Sequence, residues 1–204
     1  MRDETIADFL SQLAARTSAP GGGAAAALHA AQAAALIAMV ARYSDGPRHD
    51  AAVVGRIRAA ADGLVDEALG LAEADAAAFA KVASAYQLPK ETPAEKEKRS
   101  AVIADALGGA ARPPADLMAA SARLTSLTEE MLTAANRNVI SDLAAAAAAI
   151  TAAVITARVN IEANLPGIRD ERLKGELAET AALADEVTDR ASRLIDAVRE
   201  EMSS

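Results

Sequence analysis

Two long runs made mostly of alanine and aliphatic residues, 24–41 and 143–157, do most to limit what this chain can fold into. Alanine is the strongest helix former, and its small side chain lets helix axes approach closely. The first run carries His29 and Gln32, and the second is shorter than the roughly 20 residues that a bilayer crossing needs. Both read as buried helices of a soluble protein. Of 204 residues, 52% are hydrophobic and only 2% aromatic, which suffices for one sizeable core of Ala, Leu, Val and Ile. The expectation is a single domain over 1–204, all-α, a compact multi-helix bundle with long alanine-rich helices.

Charge and rare residues narrow the function. A net charge of −8 disfavours a phosphate backbone as partner, and two Tyr with two Phe cannot build a base-stacking surface. The absence of cysteine removes disulfides, thiol nucleophiles and zinc knuckles, and fits the cytoplasm. The acidic start, Met1-Arg2-Asp3-Glu4-Thr5, leads straight into an amphipathic helix and reads as no signal peptide.

Along the chain, Ile6, Phe9, Leu10 and Leu13 share one face of a first helix from about Thr5 to Arg16, with Thr5 as N-cap and Asp8 as its capping-box partner. A second helix spans Ala24 to about Tyr43. A third pattern runs from about Arg48 to Tyr86 with an expected interruption near Gly70. Thr92, Pro93 and Glu95 start another helix. Gly108-Gly109 and Arg112-Pro113-Pro114 predict a break before helices at about Ala115–Ala134 and Ser141–Asn164. After Pro166-Gly167, Leu173, Leu177, Val187, Leu194 and Val198 form a near-heptad seam, which predicts a partner along the whole last helix and hence a dimer.

Pro20-Gly21-Gly22-Gly23 separates the first two helices. Consecutive glycines leave backbone N–H groups uncovered at the positive end of a helix, a geometry that holds an anionic group, although the same residues also make an ordinary turn. His29 and His49 form no Glu-x-x-His or His-x-x-x-His pair, so no metal is expected. No Gly-x-Ser-x-Gly, Walker or dinucleotide pattern occurs. Carboxylates and amides remain. Asp142, after Ser141 at the start of the most apolar helix, and Asp75, between alanines, are candidate general acids or bases, or simply a helix cap and a solvated side chain. Asn160 and Asn164 stand one helical turn apart beside Arg158. They can read a heterocycle edge or cap the helix, and Arg158 can meet a carboxylate or pair with Glu162.

In order, Phe9-Leu10 with Leu13, Ser18 to Ala27 around the glycines, Asp75 with Phe79, Tyr86-Gln87-Leu88-Pro89-Lys90, Asn136 to Asp142, and Asn160 to Leu165 resemble the cyclodeaminase/cyclohydrolase family over almost the whole chain. That family includes the C-terminal domain of formiminotransferase-cyclodeaminase and bacterial methenyltetrahydrofolate cyclohydrolases.

The resemblance implies an all-helical dimer with a folate site near the subunit interface and a tetrahydrofolate derivative as substrate, without a separate cofactor. The implied reaction is closure of 5-formiminotetrahydrofolate to 5,10-methenyltetrahydrofolate with ammonia release, or interconversion of 5,10-methenyl- and 10-formyltetrahydrofolate. Carried over, it makes Asp142 the first and Asp75 the second candidate for proton transfer. Pro20, Gly21, Gly22 and Gly23 would hold an anionic part of the folate. Ser141, Asn138, Asn160 and Asn164 belong to the substrate site, the asparagines orienting the pterin or the reacting nitrogens, and Lys90 or Arg158 would pair with the glutamate tail. Two departures stand out. A Gly-Lys-Lys-Lys-Tyr-like stretch of the family is Gly46-Pro47-Arg48-His49-Asp50 here, and Ala135 replaces a glycine before Asn136. The alternative is a non-catalytic folate-binding or interaction module that retains the fold.

Overall fold

The computed structural model describes residues 4–46 and 50–203. The described chain is helical: α1 Ile6–Ala14, α2 Gly22–Tyr43, α3 Ala51–Tyr86, α4 Pro93–Ala110, α5 Arg112–Ala134, α6 Ser141–Asn164 and α7 Glu171–Ser203, with short 3₁₀ turns at Arg137–Val139 and Leu165–Gly167.

Local chemistry sets most of these bounds. Thr5 and Asp8 form the expected capping box on α1, as do Thr92 and Glu95 on α4. Three expectations are corrected. α3 runs unbroken through Gly70, because packing of its alanine face outweighs the roughly 1 kcal/mol that one glycine costs a helix. Gly108 and Gly109 lie inside α4, and the break shrinks to Ala111. α5 starts at Arg112, with Pro113 and Pro114 in its first turn, where a missing N–H costs no helical bond.

α2 is the central rod. Ala24, Ala26, Ala30, Ala33, Ala34, Ile37, Val40 and Ala41 are fully buried, and the helix packs on α3, α6 and α5. Both α3 and α6 run antiparallel to it: the start of α2 meets Asp75 of α3 and Asn160 of α6, while its end meets Asn136, just before α6. Length and composition alone would let α2 and the 141–167 segment cross a membrane, but α2 forms the middle of the core.

α7 covers α6 and α5. Its seam of Leu177, Ala181, Ala184, Val187, Ala191, Leu194 and Val198 is buried within the chain, and Arg190 forks onto Glu129 of α5 at 2.9 and 2.6 Å. The partner that the heptad pattern requires is therefore intramolecular. α1 sits at the rim and buries only Phe9, leaving Ile6 and Leu10 exposed.

Candidate functional site

At the start of α2 it is Gly23 that is needed for space, and none of the glycines for unusual dihedral angles, since no described residue has a positive φ. Gly21 is the N-cap, in extended backbone and without a side-chain cap bond, and Gly22 and Gly23 form the first turn of the helix rather than a loop before it. The Ala19–Pro20 peptide is cis. A Cβ built on Gly23 would land on the carboxylate of Asp75, which reaches across from α3. The Ala24 N–H donates to that carboxylate. Asp75 thus takes the place that a side-chain N-cap would fill, and does so from another helix.

Burial and hydrogen bonding pull the acidity of Asp75 in opposite directions. Desolvation is the larger effect and raises its pKa above the ordinary carboxylate value, while the Ala24 hydrogen bond lowers it. The carboxyl group therefore holds its proton more readily than an exposed aspartate.

Asn160, on the last turn but one of α6, faces the same place. Its side-chain amide lies about 4 Å from where a Cβ on Gly22 would stand, and its Nδ2 is buried with no hydrogen-bond partner among the described residues. A buried donor left unpaired costs roughly 1–3 kcal/mol, so this group is waiting for an acceptor. Asn164 donates its Nδ2 to the Asn160 backbone carbonyl at 2.7 Å. A cavity of about 260 Å³ is lined by Ser18, Gly21 to Gly23, Asp75, Phe79, Asn160 and Asn164. Phe79, one helical turn beyond Asp75, is 48% exposed and offers a ring face to a flat ligand.

Several sequence candidates lie elsewhere. Asp142 starts α6, while Asn160 and Asn164 end it. Eighteen residues at 1.5 Å each separate Asp142 from Asn160 by about 27 Å, so Asp142 does not join the cavity within this chain. Ser141 and Asn138 are exposed at that same far end. Asn136 is consumed there: its N–H donates to Ser44 Oγ at 2.8 Å, its Nδ2 to the Tyr43 carbonyl at 3.0 Å, and its Oδ1 accepts from the Asn138 N–H. Arg158 pairs with both Glu162 at 2.9 Å and Asp185 at 2.7 Å. Lys90 is exposed beyond the end of α3, whose last residue, Tyr86, lies about 16 Å past Asp75.

Of the altered segment, Pro47, Arg48 and His49 lie outside the described residues. Asp50 caps α3, accepting from the N–H groups of Ala52 and Val53. No group of three or more His, Asp or Glu side chains among the described residues is arranged to hold a metal ion. Sequence reasoning did not single out Ala110 and Ala163 as part of the cavity wall; two more alanines in an alanine-rich chain give no signal of their own.

The chain is similar to several known proteins. Residues 5–183 match the family model described as formiminotransferase-cyclodeaminase. The methenyltetrahydrofolate cyclohydrolase of Methylorubrum extorquens is 35% identical over 91% of this chain and 94% of its own length. The formimidoyltransferase-cyclodeaminase of Rattus norvegicus is 33% identical over 84% of this chain, which spans only 32% of that longer protein. Among solved structures, the formiminotetrahydrofolate cyclodeaminase of Thermotoga maritima superimposes with a TM-score of 0.82 at 26% identity, over 99% of this chain and 97% of the other.

Proposed function

Because the chain belongs to the formiminotransferase-cyclodeaminase family, we propose that it is a folate one-carbon enzyme acting at the N5/N10 bridge, with its chemistry in the cavity at the start of α2. The observation that carries the siting is an unspent polar pair: the Asp75 carboxyl, with its raised pKa, and the unpartnered Asn160 Nδ2 face one cavity beside a glycine that leaves room for them.

The chemistry suits a single carboxyl group. In cyclodeamination N10 attacks the formimino carbon, forming the second C–N bond, and the imino nitrogen departs as ammonia. That nitrogen takes up two protons, one released by N10 and one from solution. Asp75 can carry both in turn, as acid when protonated and as base once ionised. In the cyclohydrolase direction the same group takes a proton from the attacking water and returns it to the departing nitrogen. Asn160 and Asn164 offer amides to the pterin edge, and Phe79 stacks on its face.

The enzyme works as a soluble, cytoplasmic homodimer in this reading. Supporting that, α6 exposes Ile155 at 52% and Val159 at 56%, and α7 exposes Leu183. A monomer in sedimentation at micromolar concentration would remove the dimer from the reading.

The deciding experiment follows absorbance near the methenyltetrahydrofolate band. Purified protein is offered 5-formiminotetrahydrofolate in one cuvette and 5,10-methenyltetrahydrofolate in another. A rise in the first with ammonia release establishes cyclodeaminase, and accelerated decay in the second establishes cyclohydrolase. No change in either from folded protein would refute the proposed activity.

A further inference from the structure

Two prolines stand where α4 passes into α5, and they leave a backbone acceptor without its donor. The chain stays close to helical through this junction: α4 ends at Ala110, Ala111 is in the right-handed helical region at φ −82° and ψ −13°, and α5 begins at Arg112. The hydrogen-bond ladder runs up to the junction and resumes after it. The Ala111 N–H donates to the Leu107 carbonyl at 3.1 Å, and the Ala115 N–H to the Ala111 carbonyl at 3.3 Å. Between them come Pro113 and Pro114, which have no N–H to give. α5 loses nothing by this, but α4 does. In an unbroken helix the N–H of residue 114 would close on the carbonyl of residue 110. Here the Pro114 ring crowds that oxygen and pushes it off the helix axis instead. No other backbone N–H among the described residues takes the missing donor's place.

The position of this oxygen gives it a use. Ala110 is 7% exposed, so bulk water has little access to it, and a buried acceptor left unpaired is costly. The same residue lines the cavity that holds Asp75 and Asn160. Pro113 and Pro114 are buried too, and line a narrow crevice that shares Gly23, Asp75 and Asn160 with that cavity. Two complementary groups therefore meet at one cavity: a donor without an acceptor, Asn160 Nδ2, and an acceptor without a donor, the Ala110 carbonyl. A reduced pterin carries the complement of both, with ring N–H and amino groups as donors beside a ring carbonyl and a ring nitrogen as acceptors. Ala110 itself gives no sign of this in the sequence; the sign is a proline four residues later.

We infer that the Ala110 carbonyl accepts a hydrogen bond from a ring N–H of the bound pterin, and that Pro114 determines specificity by keeping this carbonyl vacant. The inference rests on the folate reading and adds to it a contact made by backbone alone. Pro114 acts through Ala110 and touches no reacting atom. Pro113 stands in the same relation to Gly109, which is not among the residues lining the cavity, and so provides an internal control.

The test compares kcat and KM for the active folate substrate in the unaltered protein, in Pro114→Ala, in Pro114→Ser and in Pro113→Ala. Each Pro114 variant restores an N–H that can close on the Ala110 carbonyl, so hydrogen exchange without substrate should show the amide at 114 protected. KM should rise roughly tenfold to a hundredfold, as for a ring N–H left without its acceptor, while kcat changes by less than about threefold. Pro113→Ala alters the same crevice wall but returns its N–H to Gly109, so its KM should stay near the unaltered value. An unchanged KM in the folded Pro114 variants, an unprotected amide at 114, or an equal rise in Pro113→Ala would overturn the inference and leave the folate reading standing. Turnover of neither 5-formiminotetrahydrofolate nor 5,10-methenyltetrahydrofolate by the folded, unaltered protein would remove that reading and the inference with it.

Discussion

The two ends of the α2/α6 pair hold similar residues in opposite states. At the far end, Asn136 uses its backbone N–H, its side-chain amide and its side-chain oxygen on Ser44, Tyr43 and Asn138, and buried Ser44 also donates to the Val40 carbonyl. At the near end, Asn160 keeps an unpaired buried donor and Asp75 a carboxyl group reluctant to ionise. Hydrogen bonds completed within the chain make a joint, and incomplete ones make a site. Asparagine spacing alone cannot separate the two, because the difference lies in which partners the fold supplies.

The sharpest way to break this comparison is Asp75→Asn. Loss of the proton carrier should lower kcat by about 10²–10⁴-fold, read by the methenyl absorbance assay. The same variant should be more stable than the unaltered protein at neutral pH. A carboxyl whose folded pKa is raised contributes stability that is fully present below the unfolded pKa and is lost as pH rises through the folded value. Replacing it with a neutral amide removes that loss, so the difference in Tm should be positive at pH 7 and shrink as pH falls below the ordinary carboxylate range. A less active but less stable Asp75→Asn protein would contradict the desolvation account.

Gly23→Ala comes next. Its Cβ would occupy the position of the carboxylate, so Asp75 must move, and activity should fall by roughly a hundredfold, with a stability loss of about 1–3 kcal/mol. Normal kcat in this variant would show that the placement of Asp75 over α2 is not needed. At the opposite end, Ser44→Ala should cost about 1–3 kcal/mol in chemical denaturation by orphaning the Asn136 N–H, with turnover retained. The smallest change is expected from Asp142→Asn, less than about threefold in kcat, because eighteen helical residues, about 27 Å, separate it from Asn160. If Asp142→Asn proved the more damaging of the two aspartate variants, the chemistry would move to the other end of α6.

Much of the fold was legible because its signals are local. The capping boxes at Thr5 and Thr92 and the alanine runs of α2 and α6 need only their neighbours in sequence. What misled was also local: Gly70 and the glycines at 108–109 look like breaks, yet packing across helices holds them helical. The seam of α7 announced a partner but not whether it lay in the same chain. Asp75 and Asn160 were visible as candidates, whereas their meeting at Gly23 depends on α3 and α6 both returning along α2. The separation of Asp142 from Asn160, by contrast, could have been computed from the helix rise alone.

The contact between Gly23 and Asp75 ties two distant codons together. One volume serves two backbone positions, so a side chain at 23 and a carboxylate at 75 exclude each other. A library that varies either position alone will report both as intolerant. Only joint variation, with a side chain growing from α2 as the one on α3 shortens, will reveal which residue the volume itself requires.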